Sequence, residues 1–206
     1  MSEKTKAVWD PSLIVSSRIR LARNWKKYPF PGKLSSEQAE EMKNAFRDLF
    51  HAYPEEEFDF LDMKNVSEVQ AGAMMEDHLI SPEFARRKEH SALLLGKKKR
   101  LSVMVNEEDH LRLQAVSAEE SLSDLYGQIS ALDDYLDQKI EYAFSDTYGY
   151  LTACPTNLGT AMRASVMLHL PALTRRGMID RQVNSVARLG VTVRGLYGEG
   201  TQAGAA

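Results

Sequence analysis

The alternation of apolar and polar positions divides the chain into stretches of helical period and stretches of extended period. Beyond the turn-forming residues 29–32, Ser35 and Gln38 make a capping-box pair. Met42, Phe46, Leu49, Phe50 and Tyr53 then recur at helical spacing until Pro54 stops the run. This predicts a helix that covers a core with one face. A second stripe, Leu122, Leu125, Ile129, Leu132, Leu136, Ile140 and Ala143, has its start signal in Ser117 with Glu120 and is expected to form the longest helix. Between them, Ala92–Gly96 and Leu101–Val105 are short Leu- and Val-rich runs on either side of the basic cluster 97–100, the pattern of a hairpin with a solvated turn. After Gly159 the pattern predicts a helix holding residues 163–170. Another follows over 180–189, closed by Gly190, and leads into a strand over 191–196. Strands and helices mix without regular βαβ alternation, so the expected class is α+β, with helices packed on a largely antiparallel sheet.

Composition narrows the function classes. The chain has 206 residues, 43% hydrophobic and 27% charged, enough for one sizeable domain, and no internal repeat or low-complexity linker stands out. A formal net charge of -3 gives no footprint for nucleic acid, which has only the 97–100 cluster in its favour. The single cysteine, Cys154, excludes an internal disulfide framework, and the N-terminal residues lack the apolar stretch of a signal peptide. No apolar run approaches the roughly 20 residues that span a bilayer. The expectation is a soluble, cytoplasmic protein with no membrane partner.

There is no phosphate loop, no dinucleotide fingerprint, and no zinc spacing among the five histidines and one cysteine, so no metal ligands are assigned. Any phosphate must then be held by other means, and the guanidinium fork is suited to it. Arg18 and Arg20 lie two apart, so an extended backbone sends both to one face. Arg112 follows an acidic turn on an apparent strand, Arg163 sits near an expected helix start, and Arg194 falls in an apolar strand, where a charge needs a partner. Glu107, Glu108 and Asp109 put three carboxylates directly after a strand, and Glu199 lies between Gly198 and Gly200. Taken singly, the arginines read as surface charges, the acidic residues as turns, and Cys154 as a buried small hydrophobe.

Together they form an ordered set: VSSRIRLARN from Val15, HLISP from His78, NEEDHLR from Asn106, CPTNLGT from Cys154, RASV from Arg163 and RGLYGEG from Arg194. Over residues 13–202 this set resembles the phosphagen, or guanidino, kinases, and most nearly the bacterial protein arginine kinases. The resemblance implies a catalytic domain with an antiparallel sheet flanked by helices. It also implies that ATP with Mg²⁺ is bound by Ser16, Ser17, Arg18, Ile19 and Arg20, by His78 and Arg112, and by Arg163, Ala164, Ser165, Val166 and Met167. Arg194, Gly195, Leu196, Tyr197, Gly198 and Glu199 complete that nucleotide site. Glu108 and Glu199 match the carboxylates that hold the substrate guanidinium, with Glu108 as the base and Cys154 beside it.

Metabolite guanidino kinases carry a helical domain ahead of the Ser-Ser-Arg-Ile-Arg motif, whereas here the motif begins at Ser16. The implied acceptor is therefore an arginine in a protein, with free arginine or another small guanidine as runner-up. The sequence ends soon after Glu199, so residues 1–206 are expected to be a catalytic domain incomplete at its C-terminus. The stretch 70–77 is less basic than the family pattern. A non-catalytic module that binds nucleotide or phosphoarginine is the alternative from another class. The resemblance leaves room for an activator protein, and for a homo-oligomer of the full-length protein.

Overall fold

In the computed structural model, which describes residues 13–86, 89–98 and 100–194, the extended-period stretches become one large sheet with helices packed on it. Its strands are β1 (Ile14–Arg23), β2 (Phe58–Asp62), β3 (Ala92–Gly96), β4 (Leu101–Val105) and β5 (Leu111–Ser117). A small hairpin, β6 (Phe144–Ser145) with β7 (Gly149–Tyr150), intervenes before the last strand of the sheet, β8 (Met162–Leu168). Among the described residues the sheet order is β2-β3-β4-β5-β1-β8, and β2/β3, β3/β4, β4/β5 and β1/β5 are all antiparallel. The helices are α1 (Ser36–His51), α2 (Glu68–Glu76), α3 (Pro82–Arg86), α4 (Leu122–Asp137), α5 (Pro171–Arg175) and α6 (Ile179–Ala187). The expected α+β class is what forms. The chain divides into two compact units. Ser17–Ser165 makes one; the other takes residues 13–16 and 166–194 of those described and contains α5 and α6.

Within the Ser17–Ser165 unit, strand register sorts side chains onto two faces. Ile19 and Leu21 of β1, Leu113 and Ala115 of β5, Val103 of β4 and Leu94 of β3 pack with Met42, Phe46 and Phe50 of α1 and with Leu125, Ile129, Leu132 and Leu136 of α4. Burying each such side chain contributes about 1.5–3 kcal/mol, which makes this cluster the principal source of stability. On the other face, Leu93 and Met104 meet Met63, Val66, Ala71, Ile80 and Phe84, so α2 and α3 cover part of the sheet. The remainder of that face, on β1 and β5, carries Arg18, Arg20, Arg112 and Gln114.

Local signals explain most of the elements. Ser35 and Gln38 form the expected capping box at the start of α1, and Ser67 with Gln70 does the same for α2, which the periodicity does not predict. α4 starts later than expected. Ser117 is held in the ladder opposite Ser17, and its Oγ accepts from the Glu119 and Glu120 N–H groups, so it turns the chain out of β5. The cap is Ser121 with Asp124. The helix then ends at Asp137 and, at 16 residues, equals α1 rather than exceeding it.

Two further expectations are corrected. Residues 163–168 form strand β8 rather than a helix, because β1 offers an open edge whose ladder outweighs the modest helical preference of Met, Arg and Ala. Ala161, in the left-handed region at φ 49, accepts the Ala22 N–H at 3.0 Å and directs the chain along that edge. Gly190 closes α6 at φ 78 as expected, but residues 191–194 form no strand, and no described strand pairs with them. Residues 195 and 196 lie outside the described residues.

The basic cluster at the β3/β4 turn is tied to the acidic run before β2. Lys97 pairs with Glu57 and Asp59, and the Lys98 N–H donates to Glu56 at 2.7 Å. The charge of Lys97 is thus answered within the chain, and the Lys98 backbone is held by Glu56. Among the described residues no helix is long and apolar enough to cross a membrane.

Candidate active site

Extended backbone in β1 places Arg18 and Arg20 on one face, and the antiparallel register sets Arg20 opposite Gln114 and Ala22 opposite Arg112. The small Ala22 leaves room beside the Arg112 side chain. Arg163, on β8, is near enough to act electrostatically on Arg20. The cluster is held together against its own repulsion. Burial first, and then the charges of Arg112, Arg18 and Arg163, push the Arg20 guanidinium down to about 10. Burial and Arg112 also lower Arg18. The Nε of Arg18 is buried and has no hydrogen-bond partner. A buried cationic donor without an acceptor, among like charges, is costly in isolation and is satisfied by an anion with several acceptor oxygens.

His78 borders this cluster in the left-handed region, at φ 58. Its carbonyl accepts from Gln114 Nε2 at 2.7 Å, and the Leu79 carbonyl accepts from Ser102 Oγ at 2.6 Å, which fastens the segment to β5 and β4. Burial, and then the Arg18 charge, lower the pKa of the His78 ring and favour its neutral form.

The turn between β4 and β5 does not expose three carboxylates to water; it separates them. Glu107 is buried, and accepts from Ser81 Oγ at 2.7 Å, from Arg112 Nη1 at 2.9 Å and from the Glu108 N–H at 3.0 Å. Asp109 is buried on the other side, accepting from Asn24 Nδ2 at 2.6 Å and from the Ala153 N–H at 2.7 Å. Glu108 alone points out, with Oε2 3.5 Å from Arg112 Nη2. Its carboxyl is raised above the ordinary range. Partial burial is the main cause, Arg112 opposes it, and Asp109 and Glu107 add to it. A carboxylate shifted this way is a better proton acceptor.

Cys154 lies in the loop after β7. It is half-buried rather than part of a core, with Sγ 3.0 Å from Thr156 Oγ1 and its carbonyl accepting from Thr152 Oγ1 at 2.8 Å. Because its neighbour Ala153 bonds to Asp109, the loop is fastened to the turn that carries Glu108.

The structure thus brings together Arg18, Arg20, His78, Glu108, Arg112 and Arg163, and ties the Cys154 loop to the Glu108 turn. Ser17 is buried in β1, while Ala164 and Ser165 are exposed on β8. The Ile19 side chain sits in the helix-side core, so that residue can offer only its backbone spacing. Ser16, Val166, Met167 and Arg194 belong to the other unit, where Arg194 is exposed in an irregular segment. Gly195, Leu196, Tyr197, Gly198 and Glu199 lie outside the described residues.

Sequence reasoning missed Gln114, although a polar residue two after Arg112 in an otherwise apolar strand was a usable signal. It also missed Arg23. Three residues after Arg20, Arg23 falls on the opposite face, where it donates to Asp133 of α4 from Nε at 3.0 Å and Nη2 at 2.6 Å. Its guanidinium lies 3.6 Å from the Tyr150 ring centroid, and Nη1 donates to the carbonyls of Ala22 and Thr160. Among the described residues no group of three His, Cys, Asp or Glu side chains could hold a metal ion.

Comparison with known proteins is consistent with this geometry. A family model described as ATP:guanido phosphotransferase, C-terminal catalytic domain, matches residues 37–206. The protein-arginine kinase of Clostridium acetobutylicum is 44% identical over 197 residues, covering 94% of this chain and 58% of that protein. That of Bacillus mycoides is 42% identical over 197 residues, covering 94% of this chain and 55% of its own length. The chain therefore spans little more than half the length of these relatives. Among solved structures, the duplicated taurocyamine kinase of Schistosoma mansoni with bound transition-state-analogue components superposes with a TM-score of 0.81 at 26% identity, covering 92% of this chain and 28% of that one. A lombricine kinase shares the fold with a TM-score of 0.78 at 22% identity, covering 95% of this chain and 57% of that one.

Proposed function

The chain belongs to the ATP:guanido phosphotransferase family, and from that premise we propose that it serves the transfer of a phosphoryl group from ATP to arginine side chains of proteins. The observation that carries the reading is the set Arg18, Arg20, Arg112 and Arg163 crowded beside Glu108, with a buried Arg18 N–H that lacks an acceptor. Phosphate oxygens supply the missing acceptors. The arginines bind the phosphates through charge-assisted, forked hydrogen bonds and offset the charge that develops during transfer. Mg²⁺, a hard cation that favours phosphate oxygens and water, is carried by the nucleotide in this reading and supplies further charge neutralisation.

A guanidinium is a poor nucleophile because it is protonated and its lone pairs are delocalised. Glu108 accepts hydrogen bonds from the substrate guanidinium, fixes its direction, and takes up the proton lost from the attacking nitrogen as the N–P bond forms and the bond to ADP breaks. Glu199 is the second carboxylate of this proposal, and Ser16, Val166, Met167 and residues 194–198 complete the nucleotide contacts. Ser17, Ala164 and Ser165 contribute from β1 and β8, and Ile19 through its backbone. Protein arginine is favoured as acceptor by the two relatives above, both protein-arginine kinases. A small free guanidine is the second reading, favoured by the likeness to a taurocyamine kinase.

The test incubates the chain with Mg²⁺-ATP and either an unstructured arginine-rich protein or free arginine, and measures acid-labile phosphate on arginine. Transfer to the protein is expected, with Glu108→Gln slowed about 10²–10⁴-fold while nucleotide binding persists. Transfer to free arginine alone would overturn the choice of acceptor. Undiminished transfer by Glu108→Gln would overturn the role of that residue.

A further inference from the structure

Besides the arginines, the region contains a buried polar knot whose residues are not among those assigned to the phosphates or to the acceptor. Asn24, at the end of β1, donates from Nδ2 to Asp109 Oδ1 at 2.6 Å and to the Leu151 carbonyl at 3.0 Å, and its Oδ1 accepts the His110 N–H at 2.9 Å. Asp109 Oδ1 also accepts the Ala153 N–H at 2.7 Å. The fully buried His110 ring accepts the Trp25 N–H at Nδ1, 3.0 Å away, and donates from Nε2 to the Pro29 carbonyl at 2.8 Å. One carboxylate oxygen thus joins three pieces of chain remote in sequence: the end of β1, the turn of Glu108, and the loop of Cys154.

We infer that Asp109 is a positioning residue that clamps the Glu108 turn to the Cys154 loop, so that both side chains face one acceptor from fixed positions. The inference rests on the proposed arginine phosphorylation for its catalytic consequence, but the clamp itself does not depend on it. The neighbours of Asp109 on either side have other uses. Glu107 is committed to Arg112 and Ser81, and Glu108 faces outward, so no adjacent carboxylate can replace the clamp. Both bonds to Asp109 are charge-assisted, and the one from Asn24 is buried as well, conditions in which such bonds fix geometry firmly. A displacement of about 1 Å between acceptor-holding groups is enough to lower a transfer rate by about 10²-fold.

Two substitutions in the full chain test this. Asp109→Ala removes both acceptances, and transfer to protein arginine is expected to fall more than about 100-fold in kcat, with the Kd for Mg²⁺-ATP within about threefold. Asp109→Asn keeps the shape and an acceptor oxygen but not the charge, and about a tenfold fall is expected. In both, hydrogen exchange at the Ala153 amide should speed up, while exchange in α1 and α4 stays as in the parent chain. Should Asp109→Ala fail to fold, Asp109→Asn decides alone. Unchanged exchange at Ala153 in a folded variant would overturn the clamp. An equal loss of ATP affinity and kcat would overturn the positioning role in favour of a general structural one. If the unsubstituted chain transfers no phosphate to arginine, the proposed function fails, and the Ala153 exchange still decides whether the clamp exists.

Discussion

Asp133 and Arg23 offer a stability test in which the two halves of one ion pair respond differently to loss of the partner. The Arg23 guanidinium is buried, with Nε and Nη2 on the Asp133 carboxylate, Nη1 on two backbone carbonyls, and its Cζ over the Tyr150 ring. Asp133→Ala leaves that cation dry and short of its counter-charge. Breaking a buried pair from one side costs about 3–5 kcal/mol, and a guanidinium cannot escape the cost by losing its proton.

Arg23→Met leaves a buried carboxyl that can escape. Burial already raises the Asp133 pKa, with Arg23 opposing, so removing Arg23 sends it higher still. A folded-state value above the unfolded one, about 3.9 for Asp, means that the folded state binds more protons. The contribution to stability is then fully present below the unfolded pKa and lost as pH rises through the folded one, at up to about 1.4 kcal/mol per pH unit. Arg23→Met should therefore be strongly destabilised at pH 7.5 and partly rescued toward pH 5, whereas the deficit of Asp133→Ala, which removes the titrating group, should not grow as pH rises. Replacing both residues with apolar side chains, Arg23→Met with Asp133→Leu, should cost less than either single change. Urea unfolding followed by circular dichroism reads this out, and with a slope of about 2 kcal/mol per molar the Asp133→Ala midpoint should fall by about 1.5–2.5 M. A loss below about 1 kcal/mol, or an Arg23→Met deficit indifferent to pH, would refute the reasoning.

Three further outcomes are expected. The acid limb of the transfer rate should lie above the ordinary glutamate range, because the reactive form of Glu108 is the carboxylate and its pKa is raised. Activity should therefore climb as pH rises through that value, and the limb should vanish in Glu108→Gln. Arg18→Met should leave the ligand-free chain no less stable, since it removes an unpartnered buried donor and a like charge, yet weaken ATP binding about 10–100-fold; calorimetric titration and a thermal melt check the two halves. Gly149→Ala should disrupt the β6/β7 hairpin, because an added Cβ would stand 2.4 Å from the Gly159 carbonyl oxygen at φ 74. Faster hydrogen exchange at the Tyr150 amide, which bonds that oxygen, would report it, and parent-like exchange would count against it.

The parts of the fold legible in the sequence are those written in local period and capping. α1 and the β3/β4 hairpin follow from apolar spacing alone, and the alternation in β1 by itself puts Arg18 and Arg20 on one face. What failed was decided by partners far along the chain. β8 reads as a helix until the free edge of β1 is known, and Ser117 looks like a cap until the ladder to β1 claims it. The acidic turn is the clearest case at the site. Its three carboxylates are adjacent in sequence, yet their environments are set by Ser81, Arg112, Asn24 and Ala153, and no local pattern announces those contacts. The resemblance to guanidino kinases singles out Glu108 among the three; why that one faces outward follows only from what occupies its two neighbours.

The two-faced register of β1 has a consequence for how such a chain can change. Arg18 and Arg20 stand on its even face and Ile19 and Leu21 on its odd face, where Arg23 is also buried against Asp133, so one reading frame encodes both the binding surface and the foundation beneath it. Point substitutions can adjust either face separately. A single-residue insertion or deletion within the strand would exchange them, sending Arg18 and Arg20 toward the helices and Ile19 and Leu21 toward solvent. Length variation is therefore confined to the loops, and β1 can drift in composition only as long as its parity is kept.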